Sequence, residues 1–152
     1  MHPLRRLGLL AAGVVLLGGC YSFATPSFHP GNARQLLTAV ARRLESATTM
    51  VGDSACADRS LIENAIHLRA KAADDPEERD VWIYAFREKG WDKTKAAVDA
   101  CQAEYAAANP GAVITRVDIP IYRAFGADWS PDLIAAVRDG LEEASTMGMP
   151  GQ

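Results

Sequence analysis

Residues 58–86 read DRSLIENAIHLRAKAADDPEERDVWIYAF, and how this stretch divides into elements decides the fold class. Leu61, Ile62, Ala65, Ile66 and Leu68 recur at three- and four-residue intervals, which predicts a helix over 58–73 with those residues turned inward. The segment Asp75-Pro76-Glu77-Glu78 has the form of a helix start: a capping acid, then Pro in the first turn, then carboxylates near the positive end of the dipole. It predicts a second helix that carries Val81, Trp82, Ala85 and Phe86 and stops at Gly90.

The same period continues on either side. Upstream, Asn32 followed by Gln35 resembles a capping box, and Leu36, Leu37, Val40, Ala41 and Leu44 form an apolar stripe. Downstream, Asp92 opens a helix with Thr94, Ala97, Val98, Cys101, Tyr105 and Ala108 at helical spacing, closed by Asn109-Pro110-Gly111. Ser130-Pro131-Asp132 starts a last helix, with Leu133, Ile134, Val137 and Leu141 inward. Between these two the period changes to two: Val113, Thr115, Val117, Ile119 and Ile121 alternate with polar or bulky neighbours. That is the one persuasive strand, near 112–122, and Pro120 places its later part on an edge. A lone strand needs a partner, which residues 21–24, residues 49–51, a second copy or another protein could supply. The expected fold is mainly α, with about five helices in one compact domain over 32–146 and a loose tail over 147–152.

The chain opens with Arg5 and Arg6, an apolar run from Leu7 to Leu17, and Gly18-Gly19 before Cys20. This order is that of a secretory signal, and the run is shorter than the roughly 20 residues that span a bilayer. Leu17-Gly18-Gly19-Cys20 resembles the lipobox of bacterial lipoproteins, a resemblance confined to residues 1–20. It implies removal of residues 1–19 and lipidation of Cys20 with three acyl chains; the stretch that follows, with Ser22, Pro26, Ser27, Pro30 and Gly31 and little periodicity, reads as a spacer over 20–31. In such lipoproteins a residue other than Asp after the cysteine, here Tyr21, goes with sorting to the outer membrane. Several acyl chains make a firm anchor where one binds only marginally. The expected place is the cell envelope, lipid-anchored and facing the periplasm.

The chain holds 16 Lys and Arg against 19 Asp and Glu. Two of the cations, Arg5 and Arg6, leave with the signal, and the acidic balance gives no support to nucleic-acid binding. With Cys20 lipidated, Cys56 and Cys101 remain as a pair in a compartment where disulfides persist, and we expect them to be joined. Two small buried hydrophobes are the other reading of these residues.

Reactive constellations are sparse. Read on a helix, Glu63 and His67 lie four apart on one face and could share a metal or form an acid/base pair, yet zinc needs three or four ligands. No cofactor and no metal are expected. The mixed charges over 69–80 read as a solvated face. Tyr84 and Trp91, together with Val117 and Ile119 on the strand, are the expected partner contacts, since aromatic residues anchor interfaces. The functional expectation is a membrane-tethered, non-enzymatic accessory or binding module with an envelope protein as partner. The alternative is a small helical periplasmic enzyme or ligand binder.

Overall fold

The segment from Ala65 to Ala85 folds as two strands, not two helices. A computed structural model describes residues 30–50, 53–85 and 91–147, and of 30–33, 62–64, 91–93 and 147 the backbone alone. The elements are α1 (Pro30–Ala41), β1 (Ser46–Met50), a 3-10 turn (Arg59–Asn64), β2 (Ala65–Lys71) and β3 (Arg79–Ala85). They continue with α2 (Trp91–Ala108), β4 (Ile114–Ile119), β5 (Tyr122–Ala127) and α3 (Pro131–Met147). The five strands form one antiparallel sheet in the order β1-β2-β3-β5-β4.

The mainly helical expectation is thereby corrected to a mixed α/β fold. The pairs Leu61/Ala65 and Ile62/Ile66 imitate a helical stripe, but Ile66, Leu68 and Ala70 also lie two apart and are buried together on one face. In β3 the run Val81-Trp82-Ile83-Tyr84 is buried on both faces, as a central strand of β-branched and aromatic residues is. Once β3 is a strand its backbone groups need neighbours, and β2 supplies them on one side through pairs such as Ile66 with Ile83. The acids that read as a helix start turn the chain instead. Asp75 is buried and accepts hydrogen bonds from Ala72 N (3.1 Å) and Ser130 N (3.3 Å).

The strand expected near 112–122 is two strands. β4 and β5 form a hairpin whose last pair is Ile119 with Tyr122, so Pro120 lies in the turn that closes β4, a strand at the edge of the sheet. The partner of β4 is its own continuation.

Helices cover both faces of the sheet. On one, Val81 and Ile83 of β3 and Ala124 of β5 meet Leu36 and Val40 of α1 and Leu133, Val137 and Leu141 of α3. A Cβ at Gly140 would sit 2.6 Å from Val40 Cγ2 and 2.8 Å from Val40 Cα, so glycine is what lets α1 and α3 approach. On the other face, Trp82, Tyr84 and Phe125 meet Leu61 of the 3-10 turn and Val98 and Cys101 of α2. Cys56 and Cys101 are joined, with Cα atoms 5.2 Å apart, which ties the 53–58 loop to α2. Each large side chain buried in these layers contributes about 1.5 to 3 kcal/mol.

Candidate functional site

Two of the four expected partner contacts, Tyr84 and Val117, are buried. Tyr84 is fully buried beneath α2, its hydroxyl 3.5 Å from Cys101 Sγ. Val117 is 4% exposed, and Ile119 packs partly buried against the same core. Their inward direction follows from the strand period, because Val117 and Ile119 share the face of β4 that meets α3. The side chains of Trp91 and Glu63 lie outside the described residues. So do residues 1–29 with Cys20, and the signal-peptide, lipoprotein and membrane expectations draw no support from the described structure. No described helix is long and apolar enough to cross a membrane.

His67 is the one predicted chemical residue that the fold places in a defined setting. It lies on β2, on the sheet face that α2 partly covers, and not on a helix four residues from Glu63. Its Nε2 is 2.7 Å from Asp80 Oδ1 on β3, and its Nδ1 is 3.3 Å from Asp53 Oδ2 in the loop leading to Cys56. The ring stacks on Trp82, with centroids 3.7 Å apart. His67 is 8% exposed, and Arg69 Nε stands 4.0 Å from Asp80 and 3.9 Å from Glu78. Both ring nitrogens are thus engaged by carboxylates, which fixes the imidazole in place. Asp53 and Asp80 meet it from opposite sides. Among the described residues no group of three or more His, Cys, Asp or Glu side chains is placed to hold a metal ion.

The second feature is a groove between α2 and β4. Lys95, Asp99, Gln102, Ala103 and Ala106 fall at intervals of three and four and so form one stripe of α2. Ile114, Arg116 and Asp118 are alternate residues and share one face of β4. Stripe and face meet along two adjoining hollows. One, of about 440 Å³, is lined by Asp99, Gln102, Ala103, Ala106, Ile114 and Arg116. The other, of about 240 Å³, is lined by Lys95, Asp118, Ile119, Pro120 and Arg123.

Between the hollows runs a row of charges. Arg123, 4% exposed, donates to Asp118 Oδ1 (2.6 Å) and to Asp99. Asp118 also holds Arg116 at 2.9 Å. Burial works against the Arg123 cation, but its hydrogen bonds to Asp118 and Asp99 prevail and leave its pKa above the ordinary arginine value. Gln102 Oε1 is buried with no hydrogen-bond donor among the described residues. Lys95, at the end of the stripe, is exposed and has no carboxylate partner among the described residues.

Among the described residues nothing pairs with the outer edge of β4. There β4 ends the sheet, with β5 as its one neighbour. Val113 and Asp128 are joined at the mouth of the hairpin, Asp128 N donating to Val113 O and Val113 N to the Asp128 carboxylate, each at 2.8 Å. In an antiparallel ladder the direction alternates, so Thr115, Val117 and Ile119 bond toward β5. The amides and carbonyls of Ile114, Arg116 and Asp118 point outward. Ile114, Arg116 and Asp118 thus turn their side chains to the groove and, among the described residues, have no strand partner for their outward backbone groups.

The sequence reading missed this groove. Its signal was the spacing of Lys95, Asp99, Gln102 and Ala106 beside the apolar stripe of α2, together with a strand of alternating Ile114, Arg116 and Asp118. It missed Asp53 and Asp80 as partners of His67 because their meeting depends on the β2–β3 pairing. Comparison of the chain with protein-family models, with curated proteins and with solved structures gives no match.

Proposed function

We propose that the chain is a membrane-tethered lipoprotein of the bacterial envelope, and that its folded domain is a non-enzymatic binding module that holds a partner protein at the outer edge of β4. The observation that carries the binding reading is the open β4 edge beside the α2 groove. A row of free backbone groups is a template for pairing with another chain, and the adjoining hollows give side chains somewhere to go. The export reading rests on the Leu17-Gly18-Gly19-Cys20 segment and is supported by the Cys56–Cys101 bridge, since disulfides persist in oxidising compartments. A tether at Cys20 would raise the local concentration of the module around a membrane-associated partner. The enzyme alternative rested on Glu63 and His67, and both nitrogens of His67 are already engaged by Asp53 and Asp80.

The test is crosslinking capture from intact envelopes, with the wild-type chain, Cys20→Ser and Ile114→Glu in parallel. The expected result is one dominant envelope protein, lost with Ile114→Glu while the domain stays folded, and release of Cys20→Ser from the membrane fraction. Capture unaffected by Ile114→Glu would end the β4 reading, and a Cys20→Ser chain that stays membrane-bound and normally processed would end the lipoprotein reading.

A further inference from the structure

Resting on that reading of the β4 edge, we infer the chemistry of the occupant: an extended peptide segment of the partner that adds as a sixth strand beside β4 and carries an apolar and an acidic residue four positions apart. Strand addition takes its affinity from main-chain hydrogen bonds and its selectivity from pockets for alternate side chains. Both are present here and in register. The outward amides of Ile114, Arg116 and Asp118 are every second residue, and the two hollows lie on the same side of the strand that bears them.

The two ends of the groove differ in chemistry, which sets what each accepts. At the Ile114 end the α2 wall is Ala103 and Ala106, with Gln102 beside them. Two methyl side chains opposite Ile114 leave room for a Val- or Ile-sized group, which loses apolar surface to water on entering. At the other end the two carboxylates of Asp99 and Asp118 are balanced by the guanidinium groups of Arg123 and Arg116, whereas Lys95 has no partner among the described residues. The uncompensated charge at that end is positive, so a carboxylate fits it. Ile114 and Asp118 are about 13 Å apart along the strand, and Lys95 and Ala106 about 16 Å apart along α2. A peptide paired with β4 covers the shorter distance in four residues. An even spacing also keeps both of its side chains on the groove side, where an odd spacing puts one of them on the opposite face.

The measurement uses the full chain, isotope-labelled and held in mild detergent, with two synthetic peptides. Ser-Val-Thr-Ser-Thr-Glu-Ser has the apolar and acidic residues four apart, and Ser-Val-Thr-Ser-Glu-Thr-Ser has them three apart. The first should bind about tenfold more tightly than the second. On binding, the amides of Ile114, Arg116 and Asp118 should gain protection from hydrogen exchange, while those of Thr115 and Val117, already bonded to β5, should not change. Lys95→Glu should weaken the first peptide about fivefold, as an exposed pair allows, and should reverse the preference toward the same peptide with Lys in place of Glu. Equal binding of the two spacings, or no gain at the outward amides, overturns the strand-addition inference. If envelope capture still depends on Ile114, the binding-module reading survives that failure. Outward amides already protected before peptide is added also overturn the inference, since the edge is then filled by the chain itself or, if the mass rises with concentration, by a second copy.

Discussion

The imidazole of His67 lies flat against the indole of Trp82, ring centroids 3.7 Å apart and planes 11° from parallel. Directly opposed strand residues make this contact, since His67 and Trp82 are register partners in the β2–β3 pair. The stack holds the ring edge toward Asp80 on one side and Asp53 on the other. His67→Ala should therefore lower stability by about 2 to 3 kcal/mol through lost ring packing and two lost hydrogen bonds. Asp53→Asn should cost less than about 1 kcal/mol, because its carboxylate is half exposed and its bond is the longer one. Urea denaturation of the two variants checks the order. Equal losses would mean that the ring gains little from the stack or from Asp80.

Gly126 allows β5 to pass under a hydrogen bond it does not make. A Cβ there would fall 2.2 Å from Asp80 O and 2.3 Å from Trp129 Nε1, the two atoms that bond at 2.9 Å. Both belong to anchored groups, one backbone and one a ring packed in the core. Gly126→Ala should thus break the Trp129 bond and shift its ring, at a loss of about 3 kcal/mol or more. Thermal unfolding measures the loss, and an unchanged midpoint would show that Trp129 can move without cost.

How much of this fold can be read from the sequence depends on whether its cues are local. The last helix is legible because Ser130 Oγ caps Leu133 N at 3.1 Å and Asp132 lies in the first turn, all within a few residues. The Cys56–Cys101 bridge is legible from the cysteine number together with the proposed export of the chain. β2 and β3 are not, because the spacings of Leu61, Ala65, Ile66 and Leu68 fit a period of 3.6 about as well as 2. Only the long-range pairing of Ile66 with Ile83 decides between them. The candidate site suffers in the same way. His67 stood out as a histidine, but Asp53 and Asp80 reach it across a loop and a strand pair, and the groove exists only once α2 is laid beside β4.

Stability should also fall on the alkaline side through Tyr84. Burial is the main cause that lifts its phenol pKa from 10.0 to about 12. Below pH about 10 both folded and unfolded chains keep the phenol protonated, and the group does not favour unfolding. Above it the unfolded chain ionises first, so stability declines until the folded phenol also titrates near pH 12. By then the loss attributable to Tyr84 should be about 2 to 3 kcal/mol. Tyr105 and Tyr122 are shifted in the same direction, again chiefly by burial, so Tyr84→Phe should remove part of the alkaline decline and not all of it. Urea midpoints from pH 9 to 12 for wild type and Tyr84→Phe test this, and parallel curves would show that Tyr84 does not control the decline.

The disulfide should act mainly on the unfolded chain. Cys56 and Cys101 close a loop with a sequence separation of 45, and the chain-entropy account assigns such a crosslink about 4 kcal/mol. The double variant Cys56→Ser, Cys101→Ser should lose about 3 to 4 kcal/mol and unfold with a steeper dependence on urea, because an uncrosslinked chain exposes more surface. Tyr84 sharpens the comparison. Its hydroxyl lies beside Cys101 Sγ in the same core, so a serine hydroxyl at Cys101 gains a neighbour with which to hydrogen-bond, and its burial penalty stays small. Reductant added to wild type should therefore give nearly the same midpoint as the double variant. A wild-type midpoint that does not move with reductant would mean that the two thiols are not joined. A double variant much less stable than reduced wild type would mean that thiol packing, and not the crosslink, is what stabilises the contact between the 53–58 loop and α2. The β4 edge should keep its peptide preference in every variant that remains folded, because the bridge lies on the Tyr84 side of α2 and the groove lies along Asp99, Ala103 and Ala106.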